Sequence, residues 1–296
     1  MDGARAITVE SVMPKSERRL AGLFCAIAAL IALVAGGCAD MDGFLFNTQT
    51  VDRYHPPASI PDSALEQVIL DSEGNSLYGY WIEADGAHAG GPHANVTILY
   101  CHGNKHSMDE YWDRVEFLRR LGANIFTFDY RGFGLSEGTS SEAGLHADAD
   151  AALAEVRRRG FADADIVLYG FSLGNVASIH LAADRIEPRA LIAEAPFASS
   201  TALAQGGMAL DFPARWLTEG TYDNAETIRR VRAPLLLLHG EDDDFVRYRD
   251  NGRLVYANAN EPKSLIVVPG ANHTDVPQTM GVDRYLEELR RWMGLQ

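Results

Sequence analysis

The stretch Asp165 to Asn175, DIVLYGFSLGN, runs from a short apolar segment into Gly170-Phe171-Ser172-Leu173-Gly174 and then into a helical pattern. A serine in that setting reads as a nucleophile elbow. The sharp strand-to-helix turn lifts the hydroxyl clear of the sheet, and the strained backbone tolerates only small residues two positions either side. Gly170 and Gly174 supply them. Leu173 opens the first helical turn, where an unpaired N–H and the positive end of the helix dipole point to the place an oxyanion would form. A serine hydroxyl is a poor nucleophile until a base takes its proton, and a carboxylate must hold that base in the right tautomer. Two later loops carry these types. His239-Gly240-Glu241-Asp242-Asp243-Asp244-Phe245-Val246 follows the apolar run Leu235 to Leu238, and Pro269-Gly270-Ala271-Asn272-His273-Thr274-Asp275 follows Leu265 to Val268.

The elements that must position these groups form a repeating pattern. Val68 to Leu70 and Leu77 to Ile82 flank Glu73-Gly74-Asn75 and predict a β-hairpin. Short apolar strands follow at Val96 to Cys101, Ile125 to Phe128, the elbow strand, Ala190 to Ala193, Leu235 to Leu238 and Leu265 to Val268. Helical spacing links them: Met108, Tyr111, Trp112, Val115, Leu118 and Leu121 recur on one stripe, Leu145, Ala149, Leu153 and Val156 on another, and Val282 to Met293 makes the last helix. Strands without polar alternation, separated by helices, predict an α/β fold: a mostly parallel sheet covered by helices on both faces. Ligands in such sheets bind beyond the carboxyl ends of the strands, where His102-Gly103-Asn104, Ser172, the acidic loop and His273 all fall. The interval Pro196 to Arg232 is too long for a plain connection and is expected to form a short helical cap roofing an acyl pocket, or else a helical excursion that only packs on the sheet.

Composition narrows the function. A chain of 296 residues, 47% hydrophobic, can bury a large single core, and its net charge of -15 would repel a phosphate backbone, so nucleic acid is not an expected partner. Of three cysteines, Cys25 and Cys38 fall near the N-terminus, which leaves Cys101 as a buried filler and no internal disulfide in the main domain. His88 and His93 lie in a Gly/His loop without ligand spacing, so no metal is expected there.

Lys15, Arg18 and Arg19 precede the uncharged run Leu20 to Val34 and then Ala35-Gly36-Gly37-Cys38. Basic region, apolar run and small residues read as an export signal over residues 1–37, the run being shorter than the about 20 residues a membrane span needs. Met13 is an alternative start that would bring the basic residues to the terminus. The segment resembles a bacterial lipoprotein signal, in which cleavage leaves the cysteine, here Cys38, acylated as the new N-terminus. Ala35 stands where leucine is usual, which keeps ordinary cleavage and an uncleaved anchor open. Residues 38–63, with His55-Pro56-Pro57 and Pro61, are expected to be a tether with a partly packed end, and Phe44, Leu45 and Phe46 either dock on the core or dip into lipid. The expected location is the envelope of a bacterial cell, on the periplasmic side, with Ala39 pointing to the outer membrane.

From about residue 64 to the end, the chain resembles the α/β-hydrolase superfamily, through His102-Gly103-Asn104, Asp129-Tyr130-Arg131-Gly132-Phe133-Gly134, Gly170 to Gly174, and His239-Gly240 with its acidic loop. It is most similar to the branch of serine-aminopeptidase-like proteins, monoacylglycerol lipases and depalmitoylating thioesterases. The resemblance implies a catalytic domain over 64–296 with the cap at about 196–232. It implies Ser172 as nucleophile, His273 as base, and Asp243, three residues after the glycine of His-Gly, as the acid. Asp242 and Asp244 are then solvated or turn-forming, and Glu194, after another strand, is the competing carboxylate. His102 and His239 are structural, His146 and His180 sit on helices, and His106 lies near the mouth. The backbone N–H groups of Asn104 and Leu173 would form the oxyanion hole, and no cofactor is required. The function implied is an exported serine hydrolase of ester or thioester bonds in small or lipid-like acyl substrates. Activity would fall on acidification as the imidazole charges. The alternatives are an amide-cleaving aminopeptidase-like enzyme and a non-catalytic, membrane-tethered binding protein.

Overall fold

Runs of β-formers separated by helical stretches lie side by side in one sheet. The computed structural model describes residues 45–84, 93, 95–207 and 220–295. The leader with Cys38, the expected tether as far as Phe44, His88, and residues 208–219 of the expected cap lie outside the described residues. In chain order the strands are β1 (Asn47–Thr48), β2 (Leu65–Ser72), β3 (Asn75–Ile82), β4 (Thr97–Cys101), β5 (Lys105–His106), β6 (Asn124–Phe128), β7 (Ile166–Phe171), β8 (Ala190–Glu194), β9 (Leu235–Gly240) and β10 (Lys263–Val268). Among the described residues, eight strands pair in the order β10-β9-β8-β7-β4-β6-β3-β2, and β1 pairs with β5 in a separate sheet. The pairings from β10 to β6 are parallel, and β3 and β2 join antiparallel at one edge. The β2–β3 turn is two residues long, Glu73 and Gly74, both at positive φ (53° and 84°), as a hairpin with right-handed twist requires.

Because helices cover both faces, strand side chains alternate between two apolar cores rather than between core and water. On β4, Leu99 and Cys101 join one core and Ile98 and Tyr100 the other, and β7 divides Ile166 and Leu168 from Val167, Tyr169 and Phe171. The first core is closed by the helices Glu142–Arg158 and Gly174–Asp184, through Leu145, Ala149, Leu153, Val176 and Ile179. The second is closed by Trp112–Arg119 and Val282–Met293, through Val115, Leu118, Tyr285, Leu286 and Leu289. The mostly parallel, doubly covered α/β sheet is therefore the arrangement expected. The excursion after β8 leaves along the helix Ser200–Gly207 and returns where the Glu142 carboxylate accepts the N–H groups of Thr221 (2.9 Å) and Tyr222 (2.6 Å).

Of the two alternatives for Leu45 and Phe46, docking on the core is the one found, and the packed end of the expected tether is extensive. Over 45–63 the expected tether is part of the packed domain. Leu45 and Phe46 are buried in the first core, with the Phe46 ring edge-on to Tyr222 at 5.9 Å. Backbone bonds then tie Asn47 and Thr48 to Lys105 and His106, and Gln49 and Val51 to Gly134. Tyr54 donates its hydroxyl to buried Asp129 at 2.7 Å. Prolines at 56 and 57 prevent a helix, but they leave apolar side chains and backbone donors free to be satisfied by the domain. Phe46→Ala should therefore lower unfolding stability by about 3 kcal/mol, as for a buried aromatic. Urea denaturation checks this, and a freely hanging segment would leave the midpoint unchanged.

Candidate active site

The elbow is set by close packing. Ser172 holds φ at +52°, a left-handed backbone that costs a non-glycine residue about 1–3 kcal/mol and persists only where its surroundings enforce it. At Gly174 a Cβ would lie 1.9 Å from the Cys101 carbonyl oxygen, and at Gly170 a Cβ would lie 2.3 Å from Ser178 Oγ. Both positions must be glycine for the helix Gly174–Asp184 to start against the ends of β4 and β7. The Ser172 N–H donates to the Glu194 carbonyl (3.0 Å), and the Asn175 amide donates to the carbonyls of Ser172 (3.0 Å) and Glu194 (2.9 Å). Neighbouring strand ends thus hold the turn from both sides.

Ser172, Asp243 and His273, 30 to 101 residues apart, meet here. His273 Nε2 is 3.0 Å from Ser172 Oγ, and His273 Nδ1 is 2.8 Å from Asp243 Oδ2. A carboxylate opposite Nδ1 requires a proton there, which leaves the Nε2 lone pair facing the serine hydroxyl, the tautomer a general base needs. Asp243 is buried, whereas Asp242 and Asp244 are exposed. Burial alone would raise its pKa, but His239 and His273 beside the carboxylate and the Val246 N–H hold it well below the usual carboxylate range. Oδ1 accepts from the N–H groups of Phe245 (3.0 Å) and Val246 (2.7 Å).

The remaining histidines brace the loops. His239 Nε2 lies 2.7 Å from the Val246 carbonyl and 3.4 Å from Asp243, which fixes the acidic loop. His102 is fully buried with Nε2 3.0 Å from Asp129 Oδ1, its ring stacks on Tyr111 at 5.1 Å, and its carbonyl accepts the Tyr130 hydroxyl. These contacts fix the turn that carries Asn104. His106 faces Glu110, and His146 stacks on His180 between two helices, away from Ser172. Glu194, the competing carboxylate, is buried and faces Arg114, Tyr169 and Tyr285, not His273.

A cleft of about 810 Å³ reaches this constellation through His273, Asn104 and Phe171. Tyr111, Phe171 and Phe245 give it apolar walls, and Glu110, Asp113, Asp275 and Gln278 give it a polar side. Among the described residues the Leu173 N–H has no acceptor, so the start of the helix presents a donor beside Ser172. The arrangement has the parts for nucleophilic attack with general-base assistance and oxyanion stabilisation. Sequence reasoning missed Asn47 and Arg114 in the cleft wall. Asn47 comes from the segment read as a tether, whereas Arg114 had a signal: it falls three residues after Tyr111 and four before Leu118, on the apolar stripe of its helix.

Comparison with known proteins bears on the family and the fold. The family model described as serine aminopeptidase, S33, matches residues 92–217. The uncharacterized protein YfhR of Escherichia coli is 34% identical over 244 residues, covering 80% of this chain and 84% of that protein. The alpha/beta hydrolase domain-containing protein 17B of Xenopus tropicalis is 34% identical over 209 residues, covering 68% and 67%. Among solved structures, the Pyrococcus furiosus esterase Pf2001 superposes with a TM-score of 0.64 at 19% identity, over 83% of this chain and 98% of that one, a likeness of fold. The chain belongs to the α/β-hydrolase superfamily.

A carboxyl group held below its unfolded pKa adds stability above about pH 4 and loses it as the pH falls towards the folded value. Unfolding curves between about pH 6 and 3 should therefore show a smaller acid-induced loss of stability for Asp243→Asn than for the wild type. Parallel curves would show that Asp243 is not the charge the fold stabilises.

Proposed function

We propose that this protein is an exported serine hydrolase that cleaves carboxylic ester or thioester bonds of small or lipid-like acyl substrates. The observation that carries the reading is the unbroken series from Ser172 Oγ through His273 to Asp243 at the edge of an apolar-walled cleft. In the proposed cycle Ser172 Oγ attacks the acyl carbonyl while His273 Nε2 takes its proton. The N–H groups of Asn104 and Leu173 stabilise the oxyanion, and one such donor is typically worth about 3 kcal/mol. The imidazolium returns the proton to the leaving alcohol or thiol, and water then releases the acyl group by the same steps. No cofactor enters the cycle. The name of the Xenopus relative and the fold shared with the esterase support a hydrolytic reading.

A second reading, amide cleavage at a free amino terminus, is favoured by the carboxylates Glu110, Asp113 and Asp275 at the cleft and by the aminopeptidase description of the matching family. A fluorophosphonate should label the wild-type chain and leave Ser172→Ala unlabelled. Equal labelling would remove Ser172 as nucleophile, and an unlabelled wild type would favour a binding protein on this scaffold. A chain-length series of nitrophenyl esters beside thioesters and aminoacyl amides ranks the bond types, with esters or thioesters expected to lead the amides by at least about tenfold in kcat/KM.

The export signal and Cys38 support attachment to the periplasmic side of a membrane, the outer one by the residue at 39. Cys38→Ala should shift the protein from the membrane to the soluble fraction, and an unchanged membrane fraction would remove lipidation at this cysteine.

A further inference from the structure

Beneath the elbow lies a buried ion pair that the proposed cycle does not use. Arg114, on the helix Trp112–Arg119, and Glu194, at the end of β8, have side chains only 4% and 0% exposed. The Arg114 Nη2 donates to Glu194 Oε1 at 2.6 Å and to the Thr274 carbonyl at 3.1 Å. The guanidinium lies 3.9 Å from the centre of the Phe171 ring, and that ring is 5.2 Å from the ring of His273. The second Glu194 oxygen accepts the hydroxyls of Tyr169 and, at 3.1 Å, Tyr285 from the last helix. The backbone carbonyl of Glu194 accepts the Ser172 N–H.

Burying two charges is costly, and replacing such a pair with apolar residues of similar volume is often neutral or stabilising. Stability alone is therefore a weak reason for the pair. Its contacts point elsewhere. It touches the site at the residue before Ser172, through the Phe171 ring, at the residue after His273, through the Thr274 carbonyl, and at the strand end to which the nucleophile's own N–H is bonded. Apart from the His273–Ser172 contact itself, the other hydrogen bonds of the histidine loop among the described residues are local or reach the acidic loop, as with Asn272 N–H to Asp275 and Asp242 N–H to Ala271. Arg114 ties that loop to the elbow itself.

We infer that Arg114 and Glu194 are positioning residues that clamp the histidine loop to the floor of the elbow and keep His273 within reach of Ser172. The inference rests on the hydrolase reading above. A small displacement of a catalytic base costs far more in rate than in binding, because only the transition state demands the full alignment.

Steady-state kinetics on the preferred nitrophenyl ester, fluorophosphonate labelling rates and thermal unfolding of the full chain test it. Arg114→Lys keeps a charge beside Glu194 but loses the flat contact with Phe171 and the reach to Thr274. It should lower kcat and the labelling rate by about tenfold to a hundredfold. KM should stay within about twofold of the wild type, and the melting temperature should move little. The double variant Arg114→Met/Glu194→Gln removes both charges at similar volume. It should melt near the wild-type temperature with kcat still lowered, so the test stands even if single variants fold poorly. Folded variants with kcat within about threefold of wild type, or a loss confined to KM, would overturn the inference. A wild-type chain that neither labels nor turns over any of the acyl substrates would instead remove the hydrolase reading, and this role with it.

Discussion

The site depends on a steric constraint: the start of the helix after Ser172 lies so close to the end of β4 that the Cys101 carbonyl occupies the space a side chain at 174 would need. That approach forces the turn to be tight and puts Ser172 in a left-handed backbone. It also decides where the other groups must come from, since loops leaving the carboxyl ends of neighbouring parallel strands can reach the hydroxyl and little else can. β4 supplies the turn with Asn104, β8 accepts the Ser172 N–H, and the loops after β9 and β10 bring the carboxylate and the imidazole.

Two buried carboxylates near the elbow differ in what they face. Asp243 takes two backbone N–H bonds on one oxygen and faces imidazoles with the other, so its charge is satisfied at the edge of the cleft. Glu194 is enclosed by a guanidinium and phenol hydroxyls, and burial next to its charge drives the Tyr169 and Tyr285 hydroxyls well above the usual phenol range. Only the first touches the base. Position after a strand made both residues candidates, and their partners separate them.

Much of this was legible in the chain because the strands are covered on both faces, so each reads as a short unbroken apolar run between helical stripes. The loop residues were legible because the elbow needs its glycines in fixed places. The choice of Asp243 over Asp242 and Asp244 was legible only through the family resemblance, which sets the acid three residues after the glycine of His-Gly, since all three are chemically alike and differ in which one faces His273. Docking of Leu45 and Phe46 was one of two alternatives, but the extent of the packing over residues 45–54 was hidden. Its partners, Lys105, His106, Asp129 and Gly134, are more than fifty residues further on, and no local periodicity encodes a two-residue strand. Arg114 illustrates a different limit: a charge on an apolar stripe is visible, but its meaning appears only when Glu194, Phe171 and Thr274 are seen around it.

The short parallel ladder between β1 and β5 gives the segment that precedes the main sheet a hold on the residues just after Asn104. Every reactive group lies beyond residue 100, so a shortened form beginning at the first long strand, Leu65, would keep all of them. It would also lose the lateral support of the loop that bears one proposed oxyanion donor. Support for the site is thus drawn from backbone pairing some fifty residues upstream of the chemistry it serves.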